Sequence, residues 1–195
     1  MRLVVQRVKS ASVTVRDDGD GLPRRISSIG PGILALVGLH VDDDASDLTY
    51  CARRLLNVRL WESGDSSSPK KPWRRHVRHM GYDVLCVSQF TLYGTLSKKD
   101  QPDYKLAMKA ERARAMYDEF LNLLSGGYDG KKVHDGAFGR MMDVESVNDG
   151  PVTLVIDSRE EGRRGRRDDD GAGEEEEGGG DVVVVISDRA SGGEG

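Results

Sequence analysis

Three short stretches of the chain hold residue types that do chemistry. His76-Val77-Arg78-His79 spaces two imidazoles as a metal chelate would. Arg74, Arg75 and Arg78 surround them and repel a cation, and no Cys or carboxylate cluster adjoins, so the pair reads as a solvated face. His40 and His134 are isolated, and neither a metal centre nor a cofactor is expected. The second stretch is Ser88-Gln89-Phe90-Thr91-Leu92-Tyr93-Gly94, directly after an apolar run. It gathers hydroxyl and amide groups around Phe90, either as a binding ledge or as a polar loop with an anchoring ring. The third, Asn148-Asp149-Gly150-Pro151-Val152-Thr153, breaks a local rule. Asp-Gly before β-branched residues signals a tight hairpin, yet the next residue is a proline, which has no N–H for a ladder. No G-x-S-x-G elbow, no Ser/His/Asp order and no P-loop is present. From spacing alone no standard enzyme class is signalled.

Periodicity gives the elements that must position these stretches. Residues 3–8 and 11–16 read as strands, the second alternating Ala11, Val13, Val15 against Ser12, Thr14, Arg16. Residues 17–25 form a polar loop, 26–29 a strand, Gly30-Pro31-Gly32 a turn and 33–39 a buried strand. Acidic residues 42–44 cap a helix over 45–57. Residues 58–61 are a short strand, 62–75 a surface loop and 83–88 a second buried strand. Residues 104–124 carry the apolar stripe Leu106, Ala110, Ala113, Tyr117, Phe120, Leu121, Leu124 of a long helix, stopped by Gly126-Gly127. Residues 133–134, 143–147 and 152–156 are further strands. Strands and helices do not alternate regularly, which argues against a doubly wound sheet. The expected fold is α/β: a small, barrel-like, mixed or antiparallel sheet flanked by two main helices.

Hydrophobic residues make up 37% of the 195, and the shortfall is local. The 37 residues from Arg159 onward hold 6 Arg, 12 Asp and Glu and 10 Gly, a net −6 in a chain of net −4. That is the composition of disorder. It leaves residues 1–158 near +2, which is compatible with a nucleic-acid partner. The expected organisation is one domain over residues 1–158 and an acidic, Gly-rich, disordered tail over 159–195, in which only residues 181–187 (DVVVVIS) favour a strand. Cys51 and Cys86 stand in apolar settings outside any C-x-x-C, as buried thiols of a reducing compartment do. No apolar run is long enough to cross a membrane, and the first residues do not read as a signal peptide. The chain is expected in the cytoplasm.

Taken together, the second and third stretches resemble the D-aminoacyl-tRNA deacylases of the D-tyrosyl-tRNA deacylase type. The similarity includes the opening MRLVVQRVKSASVTV, IGPGIL at 29–34, LLNVRLW at 55–61, SQFTL at 88–92, Phe138-Gly139 with Met141 or Met142, and VNDGPVTLVID at 147–157. It spans about residues 1–158. The resemblance implies a barrel-like α/β homodimer that hydrolyses the ester joining a D-amino acid to the 3′-terminal adenosine of tRNA. This is a chiral proofreading step of translation, and glycyl-tRNA is implied as a further substrate. Gly150-Pro151 is implied to be a cis peptide whose backbone oxygens enter the partner protomer's pocket and fill the place of an L side chain. Arg7 is implied to hold that element; Ser88, Gln89, Phe90 and Thr91 to form the catalytic pocket; Phe138, Gly139 and Met141 to lie near the terminal adenine. Rejecting L substrates ~10⁴-fold needs about 5.5 kcal/mol, against about 1–3 kcal/mol from one apolar contact. Side chains swing away from a clash, whereas a proline-locked backbone does not. No histidine stands out as a partner to activate Thr91. Activation of water by the ribose 2′-OH, with N–H groups near Phe90 and Thr91 on the oxyanion, is therefore preferred to a covalent Thr91 intermediate. The alternative function is a nucleic-acid-binding module without hydrolysis, using Arg74, Arg75, Arg78, Lys98 and Lys99 on phosphates.

Overall fold

A computed structural model of the chain describes residues 1–16, 22–64 and 69–159. Beyond Arg159, the expected tail, with its strand-favouring residues 181–187, lies outside the described residues. In chain order the elements are β1 (Arg2–Arg16), β2 (Pro23–Ile29), β3 (Gly32–Gly38), α1 (Ala45–Asn57), β4 (Arg59–Ser63) and β5 (Lys71–His76). Then come α2 (Val77–Met80), β6 (Asp83–Ser88), β7 (Thr95–Leu96), β8 (Pro102–Asp103), α3 (Ala110–Gly127), β9 (Val133–Asp135) and β10 (Met142–Asp157).

The main sheet runs β10-β1-β3-β6-β9, with β2 also paired to β1. Neighbours of β1 are antiparallel to it, while β3, β6 and β9 are mutually parallel. Ser27 Oγ of β2 donates to the Asp135 carbonyl of β9, so the sheet curls into a nearly closed barrel. Apolar side chains fill both faces of β3 and β6. Ile33, Ala35, Val84 and Cys86 join the larger core beneath α1 and α3, with Leu48, Leu55, Tyr117 and Phe120. Leu34, Leu85 and Val87 point into the barrel with Val8, Val13 and Ile29. Burial on both faces is why these two strands read as unbroken apolar runs. The expected fold class therefore holds: a mixed, barrel-like sheet with two main helices and the short α2.

Among the local expectations that differ, three have a plain physical reason. The expected strands at 3–8 and 11–16 are one strand, β1, because Lys9 and Ser10 interrupt the hydrophobic pattern without leaving extended backbone. Residues 62–75, expected as loop, contain the end of β4 and most of β5; Lys71–Arg75 are exposed on both faces, so no alternation marks them. The long helix begins at Ala110 rather than near residue 104. Residues before it extend the sheet instead: Ala107 bridges to His40, and Met108 N–H donates to the Leu39 carbonyl at 2.9 Å.

α1 is held as its sequence dictates. Asp44 accepts from Ser46 N–H at 2.9 Å while Asp47 accepts from Asp44 N–H at 2.9 Å, a reciprocal cap. Beside it, the fully buried Asp43 carboxylate takes the Met1 ammonium at 2.6 Å and the His40 N–H at 2.6 Å. Cys51 and Cys86 are buried free thiols, as expected. Burial pushes Cys51 up to about 12 and raises Cys86 as well.

Gly32 lies against the Asp83 backbone where β3 and β6 come into register. A Cβ on Gly32 would lie 2.1 Å from the Asp83 carbonyl oxygen, whereas one on Gly30 meets nothing within 4 Å. Gly32→Ala is expected to lower stability by about 3 kcal/mol, since backbone cannot step aside as a side chain does. Gly30→Ala should cost less than about 0.5 kcal/mol. Urea unfolding midpoints of the two variants test this.

Candidate active site

β3, β6 and β9 all end at one edge of the barrel. β6 delivers Ser88 there, and the Gln89 N–H is still held by the Val37 carbonyl at 2.7 Å. The chain then turns through a single 3₁₀ turn, Phe90–Tyr93. Gly38 makes room for it: a Cβ there would come 2.9 Å from Leu92 Cβ. Arg2 pins the far end, donating to the Leu92 carbonyl at 2.8 Å with its guanidinium 4.9 Å from the Tyr93 ring centre. Phe90 stands 58% exposed, with Tyr104 edge-on at 4.9 Å. Gln89 Nε2 donates to Thr91 Oγ1. Among the described residues no carboxylate or imidazole reaches that hydroxyl. The N–H groups of Phe90 and Thr91 head the turn, so they have no acceptor within it, and they bond no other group among the described residues. Such a ledge binds a carbonyl oxygen well and generates an alkoxide poorly.

The loop after β9 lies beside this ledge. Gly136 N–H donates to the Cys86 carbonyl at 2.9 Å. The Phe138 ring is half-buried and packs inward, 5.5 Å from Tyr117 with the Arg114 guanidinium 5.4 Å over it. What the loop turns outward is Gly139, at φ 73°, Arg140 and Met141, which is 87% exposed. Met142 is a staple instead: its sulfur accepts from Ala137 N–H at 3.1 Å. Beneath the loop a cavity of about 90 Å³ is lined by Val15, Arg24, Ile26, Ala137 and Arg140. Tyr117 supports the loop from below, its hydroxyl donating to Asp135 Oδ1 at 2.5 Å. Burial raises the Asp135 carboxyl above its ordinary value, against the lowering effect of that hydrogen bond.

Gly150-Pro151 sits inside β10, and the expected hairpin does not form. Val152 pairs with Arg7 and Asn148 pairs with Val8, so Asp149, Gly150 and Pro151 are looped out of the ladder. Out of the ladder, Pro151 needs no acceptor for an N–H it lacks. The Gly150-Pro151 peptide is cis, as the family resemblance implies. Gly150 has φ 119°, and a Cβ there would lie 2.8 Å from Val152 Cγ2. Arg7 clamps the bulge. Its Nε lies 3.0 Å from Asp149 Oδ2 and 3.2 Å from the Asp149 carbonyl oxygen, and its Nη1 donates to the Leu60 carbonyl of β4. Gly150 and Pro151 are exposed. Through β1 and β3 they are level with Val84, four residues back along β6 from Ser88 and three strands across. That is on the order of 20 Å. One chain does not bring the bulge to its own ledge.

His76 and His79 stack face to face with centroids 3.5 Å apart, and His76 Nδ1 accepts from the His79 N–H at 3.3 Å. Stacked rings of this kind do not chelate, and burial together with His79, Arg78 and Arg59 lowers the His76 pKa. Among the described residues no group of three or more metal-ligating side chains occurs. Sequence reasoning missed Arg2, Tyr104 and Asp135. It placed Tyr117 only as a core residue. Their roles depend on partners far away in the chain, and nothing local marks them.

A family model described as D-Tyr-tRNA(Tyr) deacylase matches residues 4–157. A D-aminoacyl-tRNA deacylase of Drosophila melanogaster is 45% identical over 161 residues, covering 83% of this chain and 94% of the relative. One from Dictyostelium discoideum is 43% identical, covering 83% and 100%. A solved structure named c-Myc DNA Unwinding Element Binding Protein superposes with TM-score 0.72 at 42% identity, covering 81% of this chain and 99% of that one.

The Tyr117–Asp135 pair gives a pH test. A carboxyl raised by burial favours the protonated form in the fold. Its contribution is thus fully present below the ordinary value of 3.8 and is lost as pH rises through the raised one. Asp135→Asn removes the charge and keeps an acceptor for Tyr117. Urea titrations should show the variant gaining on wild type between pH 3.5 and 7; the opposite trend would mean that the ion itself is stabilised.

Proposed function

This chain belongs to the D-Tyr-tRNA(Tyr) deacylase family, and on that premise we propose how it hydrolyses the D-aminoacyl-tRNA ester: two copies of the chain each complete the other's site. The ledge at Ser88, Gln89, Phe90 and Thr91 receives the aminoacyl ester. Its carbonyl oxygen lies against the N–H groups of Phe90 and Thr91, which stabilise the oxyanion of the tetrahedral intermediate. Water adds to the carbonyl carbon, and the ribose 2′-OH of the substrate takes part in its activation. The ester C–O bond then breaks, and the 3′-oxygen leaves with a proton. Thr91 is not the nucleophile, because its neighbour Gln89 donates a hydrogen bond and cannot take a proton. Phe138, Gly139 and Met141 flank the terminal adenosine.

The observation that carries this reading is the bulge. Asp149, Gly150 and Pro151 leave the ladder and are held by Arg7, with Gly150 and Pro151 exposed away from their own ledge. In a homodimer this element of one protomer faces the ledge of the other, and its backbone oxygens occupy the place of an L side chain. A D side chain points the other way, and glycine has none to reject, so glycyl-tRNA is a further substrate. The exposed Val144, Val147 and Val155 of β10 offer apolar surface for the second copy. The site works in the cytoplasm, within a domain of residues 1–158. No helix among the described residues is long and apolar enough to cross a membrane. Binding of DNA in its own right is a second reading, favoured by the name of the solved structure at TM-score 0.72.

Incubation with D-Tyr-tRNA and L-Tyr-tRNA should release tyrosine from the first alone; release from both, or from neither, overturns the reading. Thr91→Ala should retain most of the D-Tyr-tRNA activity, whereas loss of a covalent nucleophile costs on the order of 10⁴-fold or more.

A further inference from the structure

The β4–β5 hairpin has a composition that folding does not explain. From Lys71 to Arg75 every residue of β5 is exposed, on both faces. A core therefore does not set these residue types. Arg59, Lys70, Lys71, Arg74 and Arg75 face one described carboxylate in the hairpin, Glu62, which takes Lys70 at 3.7 Å. Arg74 and Arg75 have no ion-pair or side-chain hydrogen-bond partner among the described residues.

Between these cations stands Trp73, 45% exposed and with no ring contact among the described residues. Its backbone has φ 57°. The register explains why: Trp61 pairs with Arg75 and Ser63 with Lys71, so β5 carries two residues more than β4 at that point. A bulky side chain in the left-handed region is strained. Here the strain is spent turning an indole toward water between two pairs of cations. Unrepaid strain of this kind concentrates at functional positions.

Cations interleaved with an exposed aromatic face match the two chemistries of RNA, phosphate charge and base stacking. The hairpin is also tied to the Gly150-Pro151 bulge, through Arg7 and the Leu60 carbonyl. We propose that the exposed β4–β5 hairpin grips the body of the tRNA, with Arg74 and Arg75 on its phosphates and the Trp73 indole stacked on an exposed base. The proposal rests on the deacylase reading above. In the paired arrangement the hairpin flanks the partner's ledge, so each protomer grips the tRNA that its partner hydrolyses.

The test compares D-Tyr-tRNA with 3′-O-D-tyrosyl-adenosine, which has the ester but no RNA body. Arg74→Ala/Arg75→Ala should lower kcat/KM on the tRNA about tenfold more than on the adenosine ester. It should also reduce the steepness of the log–log salt dependence by about 1.5, from two lost phosphates at roughly 0.7–0.9 each. Trp73→Gly should melt no lower than wild type, because glycine accepts φ 57° freely, yet lose about tenfold on the tRNA. Equal losses on the two substrates, or no loss on the tRNA, overturn the proposal. Should wild type cleave neither substrate, the deacylase reading fails. Fluorescence anisotropy with uncharged tRNA still decides the surface, and equal affinity of wild type and variants refutes it.

Discussion

A strand has two hydrogen-bonding edges, and β1 uses both for almost its whole length. β10 lies along one edge; β3 and then β2 share the other. The hand-over from β3 to β2 near Val8 and Ala11 lets β2 leave the plane of β3 and reach β9. Closure follows, and with it the parallel run of β3, β6 and β9 that brings the ledge and the Phe138 loop to one edge. β10 alone bears the conflict. It must follow β1 from Arg2 to Val15 and also expel three residues on the way. Each expelled peptide forfeits a net contribution of about 0.5–1.5 kcal/mol, although water replaces the lost partners. Charge-assisted bonds from Arg7 to Asp149 offset part of this and hold the expelled segment to one path.

The division of the site follows from that geometry. The N–H groups proposed for the oxyanion gather at the carboxyl ends of parallel strands, whereas the element proposed to exclude the wrong enantiomer rides on an outer antiparallel strand. The ledge, the bulge and the loop are each supported from behind: Arg2 and Tyr104 brace the ledge, Arg7 braces the bulge, and Tyr117 with Asp135 braces the loop. In the proposed mechanism a site of fixed donors suffices, because an ester on a ribose is already labile.

Legibility varied with how local each signal was. α1 and β6 have their expected bounds, because a reciprocal cap and an unbroken apolar run are local facts. β5 was hidden because an exposed strand has no alternation. The start of α3 was misplaced because Leu106 fits a helical stripe but is exposed, while its neighbours extend the sheet. Asp149-Gly150 looked like a hairpin turn, since the register that expels it is visible only against β1. Even so, Pro151 marked the place, because a proline at a strand entry contradicts its surroundings. The site residues themselves came from the family resemblance. Composition did not single out Arg7, and no sequence pattern shows that the Phe138 ring faces inward, leaving Met141 to face solvent.

The two N–H groups that head the turn at Phe90 and Thr91 belong to the main chain. Any residue at those positions supplies them, and only proline would delete one. The same is true of the carbonyl oxygens of the expelled segment in β10. On the proposed mechanism, codon changes that would erase a catalytic serine or histidine in another enzyme leave these groups standing, provided that the backbone keeps its path. Drift can therefore rewrite the ledge's side chains more readily than the glycines, the proline and the arginine that steer the chain. In such a protein, heredity acts on a trajectory more than on a set of reactive groups.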